Sequence, residues 1–282
     1  MAELVVVAPG PLTLVQDGGR PGYASMGVGR SGAFDRSAYE LGRRLLDNPQ
    51  GAAALEVLLG GLTVRATAAT RAVITGGLVQ ATAAGRPVGY GETFYLLPGE
   101  QLALGHCTRG IRAYVSAAGG IEVPRVLGSR STDTLSGIGP AKLTAGDVLP
   151  LGDAAPPVRA DVAPLTPPTD GLVTLDVLPG PRTDWLADPD LGGEWTVAPD
   201  SNRVGIRLTG HEWRRARNGE LPSEGVMTGG IQLPPDGRPV IFGPDHPTTG
   251  GYPVVGVLTD ASCDRLAQLR PGQRVRFRTL AK

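Results

Sequence analysis

A chain of 282 residues with a formal net charge of zero and no long basic tract carries no electrostatic footprint for nucleic acid or an anionic membrane surface, so a small molecule or another protein is the expected partner. Its 42 glycines and 26 prolines fall between short apolar runs instead of clustering, which argues against a disordered chain and predicts many strands joined by turns. Cys107 and Cys263, the two cysteines, lack ligand spacing and exclude a disulfide framework, and no apolar run approaches the ~20 residues that span a bilayer, so a soluble protein of the reducing cytoplasm is expected.

The first expected strands, residues 4–7 and 12–15, lead into Gln16-Asp17-Gly18-Gly19-Arg20-Pro21-Gly22-Tyr23, a polar glycine-rich loop. Gly27-Val28-Gly29-Arg30-Ser31-Gly32 then enters the best helix pattern of the sequence: Asp35 can cap a segment with Ala38, Leu41, Leu45 and Leu46 on one face, stopped by Asn48-Pro49. The GxGxxG spacing lacks both a preceding apolar strand and a βαβ unit, which argues against a dinucleotide fingerprint. An anion at the helix start and a turn that only aims the helix are equally open. Short strands follow at 56–59, 71–74, 94–97, 101–104 and 112–116. One plan, a glycine turn, a polar pair and alternating apolar positions, recurs at 98–104, 145–151 and 271–277; the last two copies are expected to close two barrels. Prolines at 156, 157, 164, 167 and 168 make 153–170 the expected connector between domains 1–152 and 171–282.

The second half restarts with alternation at Val173, Leu175 and Val177. Read as a strand, 201–208 sets Arg203, Gly205 and Arg207 on one face, the arginine backbones roughly 7 Å apart. An anionic ligand and a solvated charged face are both open there. The chain then passes Ser223, Glu224 and Gln232 to reach Pro244-Asp245-His246-Pro247-Thr248-Thr249-Gly250-Gly251-Tyr252-Pro253, where an acid, an imidazole, two hydroxyls, two glycines and a phenol lie between two apolar runs. Such a stretch is either a fixed array of site groups or a tight loop whose side chains satisfy their own backbone. No GxSxG elbow, phosphate loop, HExxH or EF-hand pattern occurs. His106, His211 and His246 lack metal-ligand spacing, so no metal site is expected, and only His246 lies among candidate site groups. Carboxylates are the expected acid–base groups, Asp17 and Asp245 foremost.

Six blocks carry a resemblance: LTLVQDGGRPGYASMGVGRSGAFD (12–35), AALEVLLGG (53–61), RAYVSAAGGIEVPRVLGSRST (112–132), SNRVGIRLTG (201–210), SEGVMTGGIQLPPDGRPV (223–240) and DHPTTGGYP (245–253). In this order they resemble the family of 5-oxoprolinase C subunits, also called allophanate hydrolase subunit 2 or carboxyltransferase-domain proteins. The resemblance implies a mainly β chain of two cyclophilin-like β-barrel domains with a few short helices. It also implies an A-like and a B-like partner protein, and an ATP-dependent opening of 5-oxoproline to glutamate with ATP and Mg2+ held in the complex. Related modules move a carboxyl group from biotin to urea, or act as regulators that bind a B-like kinase inhibitor. This chain has no biotin-accepting Met-Lys pair, so biotin would arrive on another protein.

Under that resemblance Asp17, Asp245 and Arg203 are the expected catalytic groups, the acids handling protons or a metal–nucleotide and Arg203, with Arg20, binding carboxylate or phosphate. Gln16, Tyr23, Arg207, Ser223, Glu224, Gln232, His246, Thr248, Thr249, Gly250, Gly251 and Tyr252 complete the expected binding set. Three places depart from the family's usual wording: Asn202 stands where an acid is common, His246-Pro247 where Arg-Gln is common, and Thr75-Gly76-Gly77-Leu78 replaces a segment ending in an acid.

Overall fold

The computed structural model describes residues 2–154, 162–219 and 221–280. It is mainly β and divides into two compact units. Met1–Arg20, Asp35–Thr132 and Gly137–Pro168 form the first; Pro21–Phe34, Asp133–Ser136 and Thr169–Lys282 form the second. Two stretches well ahead of residue 153 therefore group with the second unit. Within the connector expected at 153–170, residues 155–161 lie outside the described residues, and the remainder up to residue 170 is built into the units. The Ala163 amide donates to the Gly91 carbonyl at 3.0 Å, Ala163 packs on Leu45, Leu46 and Val73, and Gln273 Nε2 donates to the Thr169 carbonyl at 2.8 Å.

In the first unit the strands are β1 (Glu3–Pro9), β2 (Leu12–Gln16), β3 (Ala54–Leu58), β4 (Leu62–Ala66), β5 (Thr70–Ala83), β6 (Arg86–Pro87), β7 (Thr93–Leu96), β8 (Gln101–Ala117) and β9 (Val148–Pro150). They form one half-barrel sheet in the order β2-β3-β8-β4-β1-β9, with β5 paired to β6, β7 and β8. Alternate residues of β4, Leu62, Val64 and Ala66, are buried while Thr63 and Arg65 are not, as a sheet with one face on the core requires. Helix α1 (Arg36–Leu45) begins where Asp35 Oδ1 accepts from the Ala38 amide at 2.9 Å, and it lays Ala38, Tyr39, Gly42 and Leu45 against β5 and β8. The strands expected at 101–104 and 112–116 are one strand, β8, whose exposed middle carries His106, Thr108 and Arg109. The glycine-turn copy at 145–151 delivers β9, an edge strand paired with β1 alone, and it closes nothing.

The second unit contains β10 (Val173–Pro179), β11 (Glu194–Val197), β12 (Gly205–Gly210), β13 (Glu224–Gly225), β14 (Gly230–Gln232), β15 (Val240–Phe242), β16 (Thr249–Gly250), β17 (Val254–Leu258), helix α2 (Asp260–Ala267) and β18 (Arg274–Thr279). Seven strands close a barrel in the order β10-β17-β14-β15-β12-β11-β18, and the third glycine-turn copy supplies the closing strand: β18 runs parallel to β10 and antiparallel to β11. Leu175, Val177, Trp195, Ile206, Ile231, Ile241 and Val275 fill the interior, joined by Phe34 from the early stretch. Strands β13 and β16 form a separate two-stranded ribbon. Helix α2, which the hydrophobic patterning missed, is capped by Thr259, whose side chain accepts from the Ser262 amide.

Candidate functional site

Asp245 is fully buried in the second unit and accepts five hydrogen bonds. Arg203 Nε (2.8 Å) and Nη2 (2.9 Å), Ser31 Oγ (2.7 Å), and the Thr134 amide (3.0 Å) and hydroxyl (2.7 Å) converge on its two oxygens. Arg203 also donates to the Gly32 carbonyl at 2.7 Å. Burial pushes the Asp245 carboxyl up, but the Arg203 charge and these hydrogen bonds outweigh it and hold the group below its ordinary range. A carboxylate offers about four lone-pair positions, and all are taken. With Arg203, Asp245 forms a buried clamp at the start of the loop, and protein donors fill both of its oxygens. Only glycine fits at Gly243, since a Cβ there would strike the Arg203 carbonyl.

The two arginines expected on one face are not neighbours in that sense. Asn202 Oδ1 accepts from the amides of Val204 (2.8 Å) and Gly205 (3.3 Å), which turns the chain so that β12 starts only at Gly205. Arg203 is buried, whereas Arg207 is exposed and pairs with Asp200 at 3.1 Å. A surface pair of this kind adds little.

His246 follows the clamp and is 8 % exposed. Its Nδ1 lies 2.6 Å from the Pro247 carbonyl, which can only accept, so Nδ1 carries the proton and Nε2 keeps its lone pair. Burial holds the imidazole below its usual pKa, against the opposing pull of Asp245 and Asp133, and leaves it neutral at physiological pH. Phe242 packs against the ring at 5.5 Å. Among the described residues Nε2 has no protein partner and reaches solvent, as do the hydroxyls of Thr248 and Thr249. Thr249 and Gly250 pair with Gly225 and Glu224, and the Arg182 guanidinium grips the Glu224 carboxylate from the outside. Gly250 rests on Gln232, where a Cβ would come within 2.6 Å of its amide nitrogen, and that nitrogen donates to the Tyr252 carbonyl at 3.2 Å. Ser223 and Tyr252 are exposed, Gly251 and Tyr23 half-buried.

In the first unit Asp17 is also buried and occupied. Oδ1 accepts from Ser129 Oγ (2.6 Å), Ser131 Oγ (2.6 Å) and the Gly19 amide (2.8 Å), and Oδ2 from the Arg130 amide (2.6 Å). Gln16 Nε2 donates to the Thr132 carbonyl at 2.8 Å, and Arg20, 1 % exposed, donates to the Ser131 carbonyl. Asp17 thus pins 129–131 to 16–20. Ser31, Asp133 and Thr134 in one unit, and Ser129 and Ser131 in the other, are groups that sequence reading did not single out. The partners of Ser31, Thr134, Ser129 and Ser131 lie more than 100 positions away, so no local signal pairs them. Asp133 Oδ1 caps the amides of Leu135 (2.9 Å) and Ser136 (3.1 Å).

An open cleft of about 590 Å³ in the second unit is lined by Trp213, Arg214, Arg215, Asn218 and Asp236 among others. It sits at the turn entering β15, whereas the 244–253 loop leaves the other end of that strand.

The family model for the carboxyltransferase domain, subdomains A and B, matches residues 26–279. The chain belongs to this carboxyltransferase-domain family. Within the family it is 34% identical to the C subunit of 5-oxoprolinase from Escherichia coli, over 97% of this chain and 90% of that protein. It is 32% identical to the urea amidolyase of Lachancea kluyveri, over 96% of this chain but 16% of that protein. The crystal structure of the K. lactis urea amidolyase superposes with a TM-score of 0.92 at 31% identity, over 99% of this chain and 19% of that one. No described helix is long and apolar enough to cross a membrane.

Proposed function

We propose that this carboxyltransferase-domain chain is the C subunit of an ATP-dependent 5-oxoprolinase, opening the lactam of 5-oxoproline to glutamate with A-like and B-like partners. The carrying observation is the extent of the likeness, which runs through 97% of this chain and 90% of the E. coli protein. The 244–253 loop fits the substrate: a lactam presents an N–H and a carbonyl side by side, and the loop offers a free acceptor at His246 Nε2 and free hydroxyls at Thr248 and Thr249. Asp245, Arg203 and Asp17 serve as positioning residues for their loops. ATP with Mg2+ would supply phosphorylation of the carbonyl oxygen. A magnesium–nucleotide needs one or two carboxylates with open oxygens, and Asp17 and Asp245 do not fit that need because protein donors fill them. The proposal therefore routes the magnesium–nucleotide through neither carboxylate.

The test is reconstitution: the chain mixed with its A-like and B-like partners should release glutamate from 5-oxoproline only with ATP and only with all three present. A second reading, carboxyl transfer from biotin on another protein to a urea-like substrate, is favoured by the likeness to the K. lactis urea amidolyase over 99% of this chain. ATP- and biotin-dependent carboxylation of urea in the same mixture, without glutamate release, would replace the first reading by the second.

A further inference from the structure

His246 combines four properties that a purely structural histidine does not need together. Its ring is packed on Phe242 and almost wholly removed from water, its tautomer is fixed by the Pro247 carbonyl at 2.6 Å, its remaining nitrogen is unspent, and that nitrogen reaches solvent. A buried ring satisfied internally would bond through both nitrogens or bury the second. A ring meant to hold an anion would be cationic, and here the opposite is arranged. The charged neighbours that favour its protonation are Asp245, bonded to Arg203, Ser31 and Thr134, and Asp133, whose Oδ1 accepts from the amides of Leu135 and Ser136, and burial outweighs their pull. Arg203 is drawn onto Asp245 and Gly32, so no described cation is bonded to the imidazole.

We infer that His246 Nε2 is a hydrogen-bond acceptor that selects ligands carrying an N–H beside a carbonyl, and so excludes their N-alkylated and ring-oxygen counterparts. This rests on the amide-type substrate of the proposed function, but it holds equally for a lactam or a urea. The discrimination arises because an N-methyl group cannot donate and would be pressed against a nitrogen lone pair, leaving a polar group unpaired on desolvation. Protonation turns Nε2 into a donor and removes the preference, so the selection weakens on the acid side of the imidazole pKa.

The experiment uses the full chain with its partner proteins, labelled with 15N at histidine. The imidazole signals of His246 should show a protonated Nδ1 and a bare Nε2 at neutral pH. Adding 5-oxoproline or urea should move the Nε2 signal, and the N–H ligand should bind about 10- to 100-fold more tightly than its N-methyl or lactone analogue. His246→Gln, whose amide oxygen still accepts, should keep the preference without its acid limb, while His246→Leu should lose the preference. Equal binding of N–H and N-methyl ligands to the unaltered protein would overturn the inference, as would a preference surviving in His246→Leu. A shift with urea but not with 5-oxoproline would sustain the inference and remove 5-oxoproline as substrate. Glutamate release with the preference intact in His246→Leu would do the reverse.

Discussion

Replacing Asp245 by alanine leaves the Arg203 guanidinium buried without its counter-charge and strips the partners from Ser31 and Thr134, so a loss of about 3–5 kcal/mol is expected. Denaturant unfolding measures it, and a loss below about 1 kcal/mol would mean that water or another group takes the charge over. Asp17→Ala should cost about 1–3 kcal/mol by the same logic, since the hydroxyls of Ser129 and Ser131 and the Arg130 amide lose their acceptor. Both groups with a resolved shift in the 244–253 loop make stability rise with pH. Asp245 is held below its ordinary value, so its contribution is full above the unfolded carboxylate range and is lost as pH falls through the lowered folded value. His246 is also held low, so the unfolded chain takes up that proton first and stability drops as pH falls below the usual imidazole value of about 6.5. Unfolding free energies between about pH 5 and 7 should therefore slope less in His246→Gln than in the unaltered chain, and an identical slope would contradict the neutral buried imidazole. The sequence made Asp17 and Asp245 conspicuous through their glycine-rich surroundings, but their chemistry was not legible there. What saturates each carboxylate is a set of hydroxyls and amides, joined at Asp245 by the Arg203 guanidinium, drawn mostly from far away in the chain.

The ribbon of β13 and β16 hangs on few restraints: two residues from each strand, the Arg182–Glu224 pair and flanking backbone bonds at Leu221 and Val226. Arg182 and Glu224 are each about one-third exposed, so the pair orders the ribbon locally without holding the barrel. Glu224→Gln should speed amide exchange at 224–226 and 249–250 while leaving the global unfolding midpoint in place; unchanged exchange would assign the ordering to the backbone bonds alone. At this scale the alternation of apolar residues read correctly in β10, where Val173, Leu175 and Val177 face the core. It failed where polar residues interrupt a continuing strand, at His106–Arg109 in β8, and where a side-chain oxygen bends the chain, at Asn202 ahead of β12. Helix α2 escaped because its eight residues bury only Ser262, Leu266 and Ala267, too little for an apolar stripe.

The mainly β architecture was legible from turn spacing and apolar runs, and the repeated glycine-turn plan pointed rightly to β18 as a closing strand. The make-up of the second unit was not, because membership depends on pairings between distant segments. That unit draws Ser31 and Phe34 from 21–34, and Thr134 from 133–136, into the same fabric as Asp245 and the barrel core. A chain restricted to 169–282 lacks these groups, so it should fail to give a cooperative unfolding transition although it contains every barrel strand. Cooperative unfolding of that fragment at the stability of the full chain would refute this. The Ser31–Asp245 hydrogen bond spans 214 positions, a distance that also counts as time during synthesis. At the usual pace of a ribosome, the segment around Ser31 emerges roughly 10–40 s before its acceptor exists. Through that interval Ser31 lacks its buried acceptor, so the fastening of this early segment is completed only by the last third of the chain to be translated.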